Sequence, residues 1–203
     1  LEADLRKAGT TAPLIMRSNG GVMTTANARE QPVTMIRSGP AGGVIASLEI
    51  GTILDIDAIM TADVGGTSFA TCLISAKRPA MTSNTELEWG IPIATPMLDI
   101  RSIGAGGGSE AWVDSGGSLK VGPRSAGADP GPACYGRGGT IATSTDANVV
   151  LKRLDTDFKL GGEVQLDAQA AEKAVKDISQ QLNMGHEETA SGSLEIMNSS
   201  MAE

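Results

Sequence analysis

The sequence has 203 residues, of which 40 % are hydrophobic and 20 % charged, so a packed core is expected rather than disorder. Aromatic residues make up only 2 % and glycine accounts for 26 residues, so the core must be mainly aliphatic. A net charge of −8 without a Lys/Arg cluster excludes nucleic acid as an expected partner. No apolar run approaches the ~20 residues that cross a bilayer, so we expect no membrane partner.

The cysteines, Cys72 and Cys134, are too few for a disulfide framework, and we expect both to be small buried side chains in a reducing cytoplasm. His186 has no cysteine or second histidine nearby, which excludes the usual zinc spacings. The opening "LEADLRKAG" is typical of the end of an amphipathic helix closed by Gly9, and the last residues lack a capping glycine or proline. We therefore expect a partial domain over residues 1–203, truncated at both ends.

The first half of the chain predicts a helix and a hairpin. Pro40 near a helix start and Gly51 as a stop predict a helix near residues 41–50, and "VMTTANARE" fits a shorter one. "DAIMTADV" and "SFATCLIS" are apolar runs of strand length around Gly-Gly-Thr, which predicts a hairpin with small residues at its tip. Further strands are expected near residues 91–94 and 98–103.

The second half predicts another hairpin and two helices. "AWVD" and "LKVG" flank the turn "SGGS", whereas residues 122–139 contain too many glycines and prolines for regular structure. "STDANVVLKRL" fits a helix capped by Ser144 or Thr145. "DAQAAEKAVKDISQQL" fits a longer helix with one apolar face, formed by Ala171, Ala174, Val175 and Ile178. Strands in the middle and helices at both ends predict one α/β unit.

The segment "DVGGTS" directly follows an apolar strand. The Asp63 carboxylate can hold a metal-bound water, Gly65 and Gly66 let amide N–H groups reach phosphate oxygens, and Thr67 and Ser68 add donors. The alternative is a tight β-turn that Asp63 caps. No Gly-Lys-Ser/Thr follows, which excludes a Walker loop, and a second strand follows instead of the helix of a dinucleotide fingerprint. A strand–turn–strand phosphate clamp is typical of actin-like and sugar-kinase ATPases.

A second glycine-rich segment, "LDIRSIGAGGGS", follows another strand. Gly106, Gly107 and Gly108 offer bare backbone to a phosphate, and Asp99 and Arg101 alternate onto one strand face. The alternative is a loop that only joins two strands.

A third candidate segment covers residues 122–139. It carries Arg124, Asp129 and Arg137 among rigid prolines. The composition is compatible with a loop that contacts substrate and with one that contacts another subunit, and it leaves both open.

The motifs together resemble a known family. "SNGG", "SGPAGGVIAS", "DVGGTS", "LDIRSIGAGGGS" and "TDANVVLKRLD" occur in an order that closely resembles the hydantoinase A/5-oxoprolinase family, which includes N-methylhydantoinase subunits and the ATP-dependent acetone and acetophenone carboxylases. The resemblance runs through essentially all 203 residues, and "VGPRSAGADPGPACYGRGG" is its most specific part.

The resemblance implies an α/β fold, namely a ribonuclease H-like or actin-like ATPase lobe with a mixed sheet, β-hairpins and flanking helices. It implies ATP and a divalent metal, Mg²⁺, and phosphorylation of an amide or enolate oxygen. A hydantoinase B-type subunit or region is the implied partner that completes ring hydrolysis or carboxylation. A first phosphate motif lies in a separate N-terminal lobe of family members and is missing here, so residues 63–68 are expected to be the second.

The resemblance implies a nucleotide site in this chain, and two residues depart from the family pattern. The expected nucleotide-binding residues are Asp63, Gly65, Gly66, Thr67, Ser68, Gly106, Gly107 and Gly108, and Asp63 is also the expected metal ligand. Family members usually carry an acidic residue two positions after Ser68, where this chain has Ala70. Strand alternation places position 70 on the face of Ser68, so Asp63 carries the metal alone or metal binding is lost. Glu110 stands where the family more often has an aliphatic residue.

These observations predict the second lobe of an ATP-dependent subunit that hydrolyses a small cyclic amide. One alternative is a subunit of an ATP-dependent ketone carboxylase. The other is a noncatalytic regulatory or assembly module with the same fold, which Ala70 favours. With one phosphate hairpin out of two, the isolated chain is expected to be inactive.

Overall fold

The computed structural model describes residues 2–86, 90–157 and 159–202. The sequence predicted one α/β unit, whereas contacts within the chain divide it into two units. Unit 1 comprises Leu1–Asp63 and Ala70–Arg101, and unit 2 comprises Val64–Phe69 and Ser102–Glu203. Each unit has its own buried aliphatic core.

The helices of unit 1 are α1 (Glu2–Lys7), α2 (Thr25–Glu30) and α3 (Ser38–Ile53), with a 3₁₀ turn at Pro32–Met35. Thr24 caps α2 by accepting a hydrogen bond from an amide one turn later. In α3, Pro40 lies in the first turn, where its missing N–H costs no helical hydrogen bond. The predicted helix over residues 41–50 is confirmed. It extends beyond the predicted range at both ends, so Gly51 lies inside the helix instead of ending it.

The strands of the first half of the chain are β1 (Leu14–Met16), β2 (Val22–Thr24), β3 (Ala58–Val64), β4 (Phe69–Ser75), β5 (Arg78–Pro79), β6 (Met81–Thr82), β7 (Thr85–Glu86), β8 (Pro92–Ile93), β9 (Met97–Leu98) and β10 (Arg101–Ile103). β3 and β4 are neighbours in one sheet, as the predicted hairpin requires, and β5 pairs antiparallel with β4. Three antiparallel pairs, β1–β2, β6–β9 and β7–β8, form separate small sheets. β2 takes the first residues of "VMTTANARE", so only the rest of that segment is helical.

The core of unit 1 lies where α3 packs on β4. Because side chains alternate between the two faces of a strand, Ala70, Cys72 and Ile74 point the same way and are buried. They share this cluster with Ala41 and Val44 of α3. Cys72 is therefore the small buried side chain that the sequence predicted.

The second segment of unit 2 contains a hairpin, β11 (Ser109–Val113) and β12 (Leu119–Ser125). Its turn is ordered by Asp114, whose carboxylate accepts from the amides of Ser118 and Gly116, and these bonds lower the pKa of Asp114. The predicted hairpin is confirmed. The prediction that residues 122–139 lack regular structure was wrong in two places, since pairing with β11 extends β12 to Ser125 and Ala133–Tyr135 forms a 3₁₀ turn.

Three helices complete unit 2: α4 (Ser144–Val150), α5 (Ala168–Leu182) and α6 (His186–Ala202). The cap of α4 is Thr143 instead of the predicted Ser144 or Thr145. The Thr143 hydroxyl accepts from the Asp146 amide while the Asp146 carboxylate accepts from the Thr143 amide, which is a capping box. Asp167 caps α5 through two amide hydrogen bonds.

The apolar face predicted for α5 is confirmed. Ala171, Ala174 and Val175 are buried, and Ile178 packs against the cluster that contains Ala174 and Val175. Among the helices of the described residues, none has the length and apolar character needed to span a membrane.

Asp146 organises the centre of unit 2. It is fully buried, and its carboxylate accepts from the amides of Ala133 (3.2 Å), Cys134 (2.7 Å) and Thr143 (2.9 Å) and from the Thr143 hydroxyl (2.7 Å). Burial, followed by the nearby Asp146 charge, raises the pKa of Cys134 far above its usual value. Cys134 is thus a buried structural thiol, as predicted.

Candidate functional site

The residues between β3 and β4 form a turn, Gly65–Ser68, that we call the hairpin turn. The Gly65 amide donates to the Ser68 carbonyl at 2.9 Å. Within the part of the chain that the structure describes, the amides of Gly66, Thr67 and Ser68 have no protein acceptor, and neither have the hydroxyls of Thr67 and Ser68. The hairpin turn therefore offers a row of free hydrogen-bond donors, an arrangement that suits an anionic oxygen.

The second glycine segment lies directly against the hairpin turn. The Gly107 amide donates to the Gly65 carbonyl at 3.0 Å, and the Gly108 amide donates to the Gly66 carbonyl at 2.6 Å. The two segments that the sequence singled out thus meet in unit 2. These bonds occupy carbonyls of the hairpin turn and leave its donors free.

Close backbone approach explains why the second segment consists of glycines. A Cβ on Gly106 would lie 2.7 Å from the Gly65 oxygen and 2.8 Å from the Ser68 nitrogen. A Cβ on Gly108 would lie 2.9 Å from the Gly66 oxygen. Real Cβ atoms do not approach backbone so closely, so only glycine lets these two segments pack together.

The amides of this second segment are already used inside the protein. Besides the two bonds to the hairpin turn, the Gly106 amide donates to the Ser109 hydroxyl at 2.8 Å. The sequence predicted that Gly106, Gly107 and Gly108 bind nucleotide, and this stays a prediction. In the structure all three amides hydrogen-bond within the protein and hold their own loop and the hairpin turn. We therefore interpret this loop as the support of the site.

Two further residues that the sequence did not assign to the site contact this pair of segments. Thr145 donates to the Gly107 carbonyl from its hydroxyl at 2.8 Å and from its amide at 2.9 Å. The Ser125 hydroxyl lies 3.4 Å from the Gly66 carbonyl. Thr145 follows Gly107 by 38 residues and Ser125 follows Gly66 by 59, so no short-range pattern could have revealed either contact.

Asp63 belongs to unit 1, at the end of β3, where its side chain is exposed. Its carboxylate makes no hydrogen bond or ion pair with the described residues, so it does not cap the turn that follows. It lines a cavity of about 340 Å³ in unit 1, beside α3, together with Thr61, Ala70 and Thr71. A free carboxylate at a cavity wall is available to a ligand.

Asp63 is the carboxylate that this cavity offers to a metal ion among the described residues that line it. Among the described residues no three His, Cys, Asp or Glu side chains cluster as metal ligands. Ala70 lines the same cavity as Asp63 and supplies no ligand. Asp63 alone suits a cation such as Mg²⁺, which commonly takes one carboxylate, water and phosphate oxygens.

The other charged candidates form two ion pairs and leave two exposed side chains. Asp99 and Arg101 lie together as predicted, with Arg101 Nε 3.2 Å from Asp99 Oδ1, near the protein surface. Arg124 is the ionic partner of Glu110, with its Nε 3.6 Å from Glu110 Oε2. The Arg124 guanidinium also lies over the Trp112 ring, 4.7 Å from the ring centre. Asp129 and Arg137, the remaining charged residues of segment 122–139, are exposed, so its role as a substrate or subunit contact stays a prediction.

Comparison with known proteins decides the family. The model of the hydantoinase/oxoprolinase family matches residues 1–203. The chain belongs to this family. The resemblance predicted from the motifs is thereby confirmed.

Relatives and solved structures agree with this assignment. Caprolactamase subunit alpha of Pseudomonas jessenii is 41 % identical over 186 residues, which cover 91 % of this chain and 27 % of that protein. A nucleotide-free acetone carboxylase matches with a TM-score of 0.87 and 32 % identity over 98 % of this chain and 28 % of its own. The ATP-dependent caprolactamase of Pseudomonas jessenii matches with a TM-score of 0.76 and 37 % identity, over 98 % of this chain and 29 % of its own.

These comparisons establish the fold class and the share of its relatives' length that this chain spans. The predicted α/β class is confirmed: this chain combines antiparallel sheets with helices, and the two solved structures that it matches have the ATPase-like fold. The chain spans 27–29 % of the length of the first curated relatives that it matches.

Proposed function

We propose that this chain is part of the nucleotide-binding lobe of an ATP-dependent subunit that activates a cyclic amide by phosphorylating its oxygen. The observation that carries this proposal is the hairpin turn, whose amides at Gly66, Thr67 and Ser68 are free within the described chain. Support comes from two relatives in the same family that are named as ATP-dependent, acetone carboxylase and caprolactamase.

The hairpin turn has the properties that phosphoryl transfer demands of a protein. Such a reaction depends on positioning and on stabilising charge at the phosphate oxygens. Donors fixed before the reaction cost no reorganisation as charge develops. Gly107 and Gly108 fix this turn through their hydrogen bonds to Gly65 and Gly66. When bound, ATP supplies the phosphoryl group, and the turn holds its oxygens.

Asp63 is the proposed ligand of Mg²⁺, which accompanies the nucleotide. It precedes the hairpin turn by two residues in sequence and has a free, exposed carboxylate. The cation would neutralise phosphate charge, and Asp63 would orient it directly or through water. Because Ala70 provides no second carboxylate, the proposal assigns this role to Asp63 alone.

The proposed substrate is a cyclic amide, and the proposed partner is a B-type hydantoinase subunit or region that opens the activated ring. Caprolactamase subunit alpha, with 41 % identity, supports an amide. A second candidate, a ketone carboxylase subunit, is supported by the TM-score of 0.87 with acetone carboxylase, above the 0.76 with caprolactamase. A first lobe with its own phosphate hairpin, outside these 203 residues, is also part of the proposal.

ADP release distinguishes these functions. The full-length protein, purified with its partner subunits, is incubated with ATP, Mg²⁺ and either cyclic amides or ketones with bicarbonate. We expect cyclic amides to increase ADP release at least tenfold and ketones to leave it at the basal rate. Stimulation by ketones alone supports the carboxylase, and absence of nucleotide binding supports the noncatalytic module.

A further inference from the structure

Unit 2 contains a second cavity, distinct from the surface of the hairpin turn. Its volume is about 300 Å³, and it is bordered by Glu110, Ser125, Thr140 and Ile141 and by backbone of the glycine-rich segment around Gly131. A volume of this size lies at the lower end of the range for small-molecule pockets. We call it the Glu110 cavity.

Glu110 gives this cavity an acceptor that the protein itself leaves unsatisfied. Its side chain is only 14 % exposed, and its ionic contact with Arg124 is long, at 3.6 Å. Among the described residues none donates a hydrogen bond to its carboxylate. Carboxylates with so little exposed surface generally accept hydrogen bonds from the protein, so a ligand with an N–H group would supply the donor that Glu110 lacks.

Arg124 is held away from full pairing with Glu110 by an aromatic ring. Its guanidinium lies 4.7 Å from the centre of the Trp112 ring, and its side chain is 60 % exposed. The Trp112 indole is itself fixed, because its Nε1–H donates to the Gly122 carbonyl at 2.8 Å. The cation–π contact therefore holds the Arg124 guanidinium over Trp112, and Glu110 lines the cavity whereas Arg124 does not.

Ser125 gives the cavity a donor on the side of the hairpin turn. Its hydroxyl oxygen accepts from the Gly127 amide at 3.1 Å. The bond that it donates to the Gly66 carbonyl is weak at 3.4 Å, and that carbonyl already accepts from the Gly108 amide at 2.6 Å. The Ser125 hydrogen is thus available to a ligand carbonyl without leaving Gly66 unpaired.

We propose that the Glu110 cavity binds the cyclic amide, with the ring N–H donating to Glu110 and the ring carbonyl accepting from Ser125. This assignment rests on the proposed function. A ring amide is held cis, so its N–H and C=O groups point to the same side and match an acceptor and a donor in one cavity. Ser125 adjoins Gly66, so the amide oxygen lies on the side of the cavity nearest the hairpin turn.

Glu110 then determines specificity for amides. A ketone or an N-methylated amide has no N–H, so it would cover the partly buried Glu110 carboxylate without supplying a donor. Sites built to pair with a substrate N–H reject analogues that lack it more strongly than they reject a change in size.

Direct binding tests the assignment without turnover. The full-length protein with its partner subunits is titrated, without nucleotide, with ε-caprolactam and 5-oxoproline and with their N-methyl derivatives, and the Kd is obtained by ligand-observed NMR. We expect the N-methyl derivatives to bind about tenfold more weakly or worse. Glu110→Leu should weaken binding of the N–H forms by a similar factor and change the N-methyl forms less than about twofold.

Two variants accompany this measurement. Glu163→Leu makes the same replacement at an exposed position and should change no Kd. Ile141→Trp fills the cavity from a residue that is 47 % exposed, so it should remove binding without unfolding the protein. Equal Kd values for N–H and N-methyl forms, no binding of either amide, or unchanged binding in Glu110→Leu and Ile141→Trp would each overturn the assignment.

ADP release on the same samples separates this inference from the proposed function. Amide binding that depends on Glu110 but never stimulates ADP release contradicts the proposed function and leaves the binding site standing. Amide-stimulated ADP release with the same KM in Glu110→Leu as in the wild type contradicts the site and leaves the proposed function standing.

Discussion

The Gly107 amide donates to the Gly65 carbonyl at 3.0 Å, and this bond determines what the hairpin turn presents to solvent. With the Gly108 bond to Gly66 and the internal bond from Gly65 to Ser68, it engages three of the four carbonyls of the turn. The hydrogen-bonding groups of the turn that stay free of protein partners among the described residues are mainly donors. The loop at residues 106–108 thus leaves the hairpin turn with free donors, which our proposal that the turn binds phosphate requires.

Adding a methyl group to this contact should disrupt the site. In Gly106→Ala the new Cβ would lie 2.7 Å from the Gly65 oxygen and 2.8 Å from the Ser68 nitrogen, so the two segments must separate. We expect a loss of about 1–3 kcal/mol in stability and a loss of at least tenfold in ATP turnover. Thermal unfolding and ADP release of the full-length variant measure both.

Gly104→Ala is the matched control in the same loop. Its Cβ would meet only Pro123, at 3.4 Å or more, which is ordinary contact. We expect its turnover to stay within about twofold of wild type. Equal activity of Gly106→Ala and Gly104→Ala would show that the close approach to the hairpin turn has no functional role.

Asp63→Asn tests the proposed metal ligand. The Asp63 carboxylate is exposed and free of protein partners among the described residues, so its loss should leave folding nearly unchanged. Turnover of ATP should fall by ~10²-fold or more, because Asn is a poor ligand for Mg²⁺. Asp57→Asn, at the other end of β3, is the control. A melting temperature that falls while turnover is preserved would assign Asp63 a structural role.

The hairpin turn could be predicted because its signals are local. Two apolar runs around Gly-Gly-Thr specify a tight turn whatever the rest of the chain does. The packing of Gly106 and Gly108 against the hairpin turn could not be predicted, since glycines that bind phosphate and glycines that pack against backbone give the same sequence pattern. The cap of α4 was misplaced by one residue although its signal is local, since Thr143 and Asp146 stand at the spacing of a capping box. The bonds from the amides of Ala133 and Cys134 to Asp146 could not be predicted, because these residues are distant from it in sequence.

Asp146→Asn tests that buried cap. One side-chain oxygen would be replaced by an N–H₂ group facing donors that now bind the carboxylate, so we expect a loss of about 3 kcal/mol. The melting temperature should fall by about 6 °C or more. Asp167→Asn changes the exposed cap of α5 and should cost less than about 0.5 kcal/mol, because Asn caps helices as well as Asp does. Similar losses in the two variants would contradict the account of Asp146.

Cys134 should resist alkylation. Its raised pKa, caused by burial and then by the Asp146 charge, lowers the thiolate fraction at any given pH, and the thiolate is the reactive form. At pH 8 we expect iodoacetamide to modify Cys134 at least ~100-fold more slowly in the native protein than in guanidinium chloride, and raising the pH to 9 should restore little of the rate. Peptide mass spectrometry measures both. Rapid labelling of the native protein would show that Cys134 is accessible and unperturbed.

The central claim is that the amides of Gly66, Thr67 and Ser68 bind nucleotide phosphate. Selective ¹⁵N labelling of glycine, threonine and serine in the full-length protein, followed by titration with a nonhydrolysable ATP analogue and Mg²⁺, observes these amides directly. We predict saturable shifts of all three resonances, with Gly116 and Gly117 in the β11–β12 turn unmoved as internal controls. Saturable nucleotide binding that leaves the resonances of Gly66, Thr67 and Ser68 in place would contradict the claim.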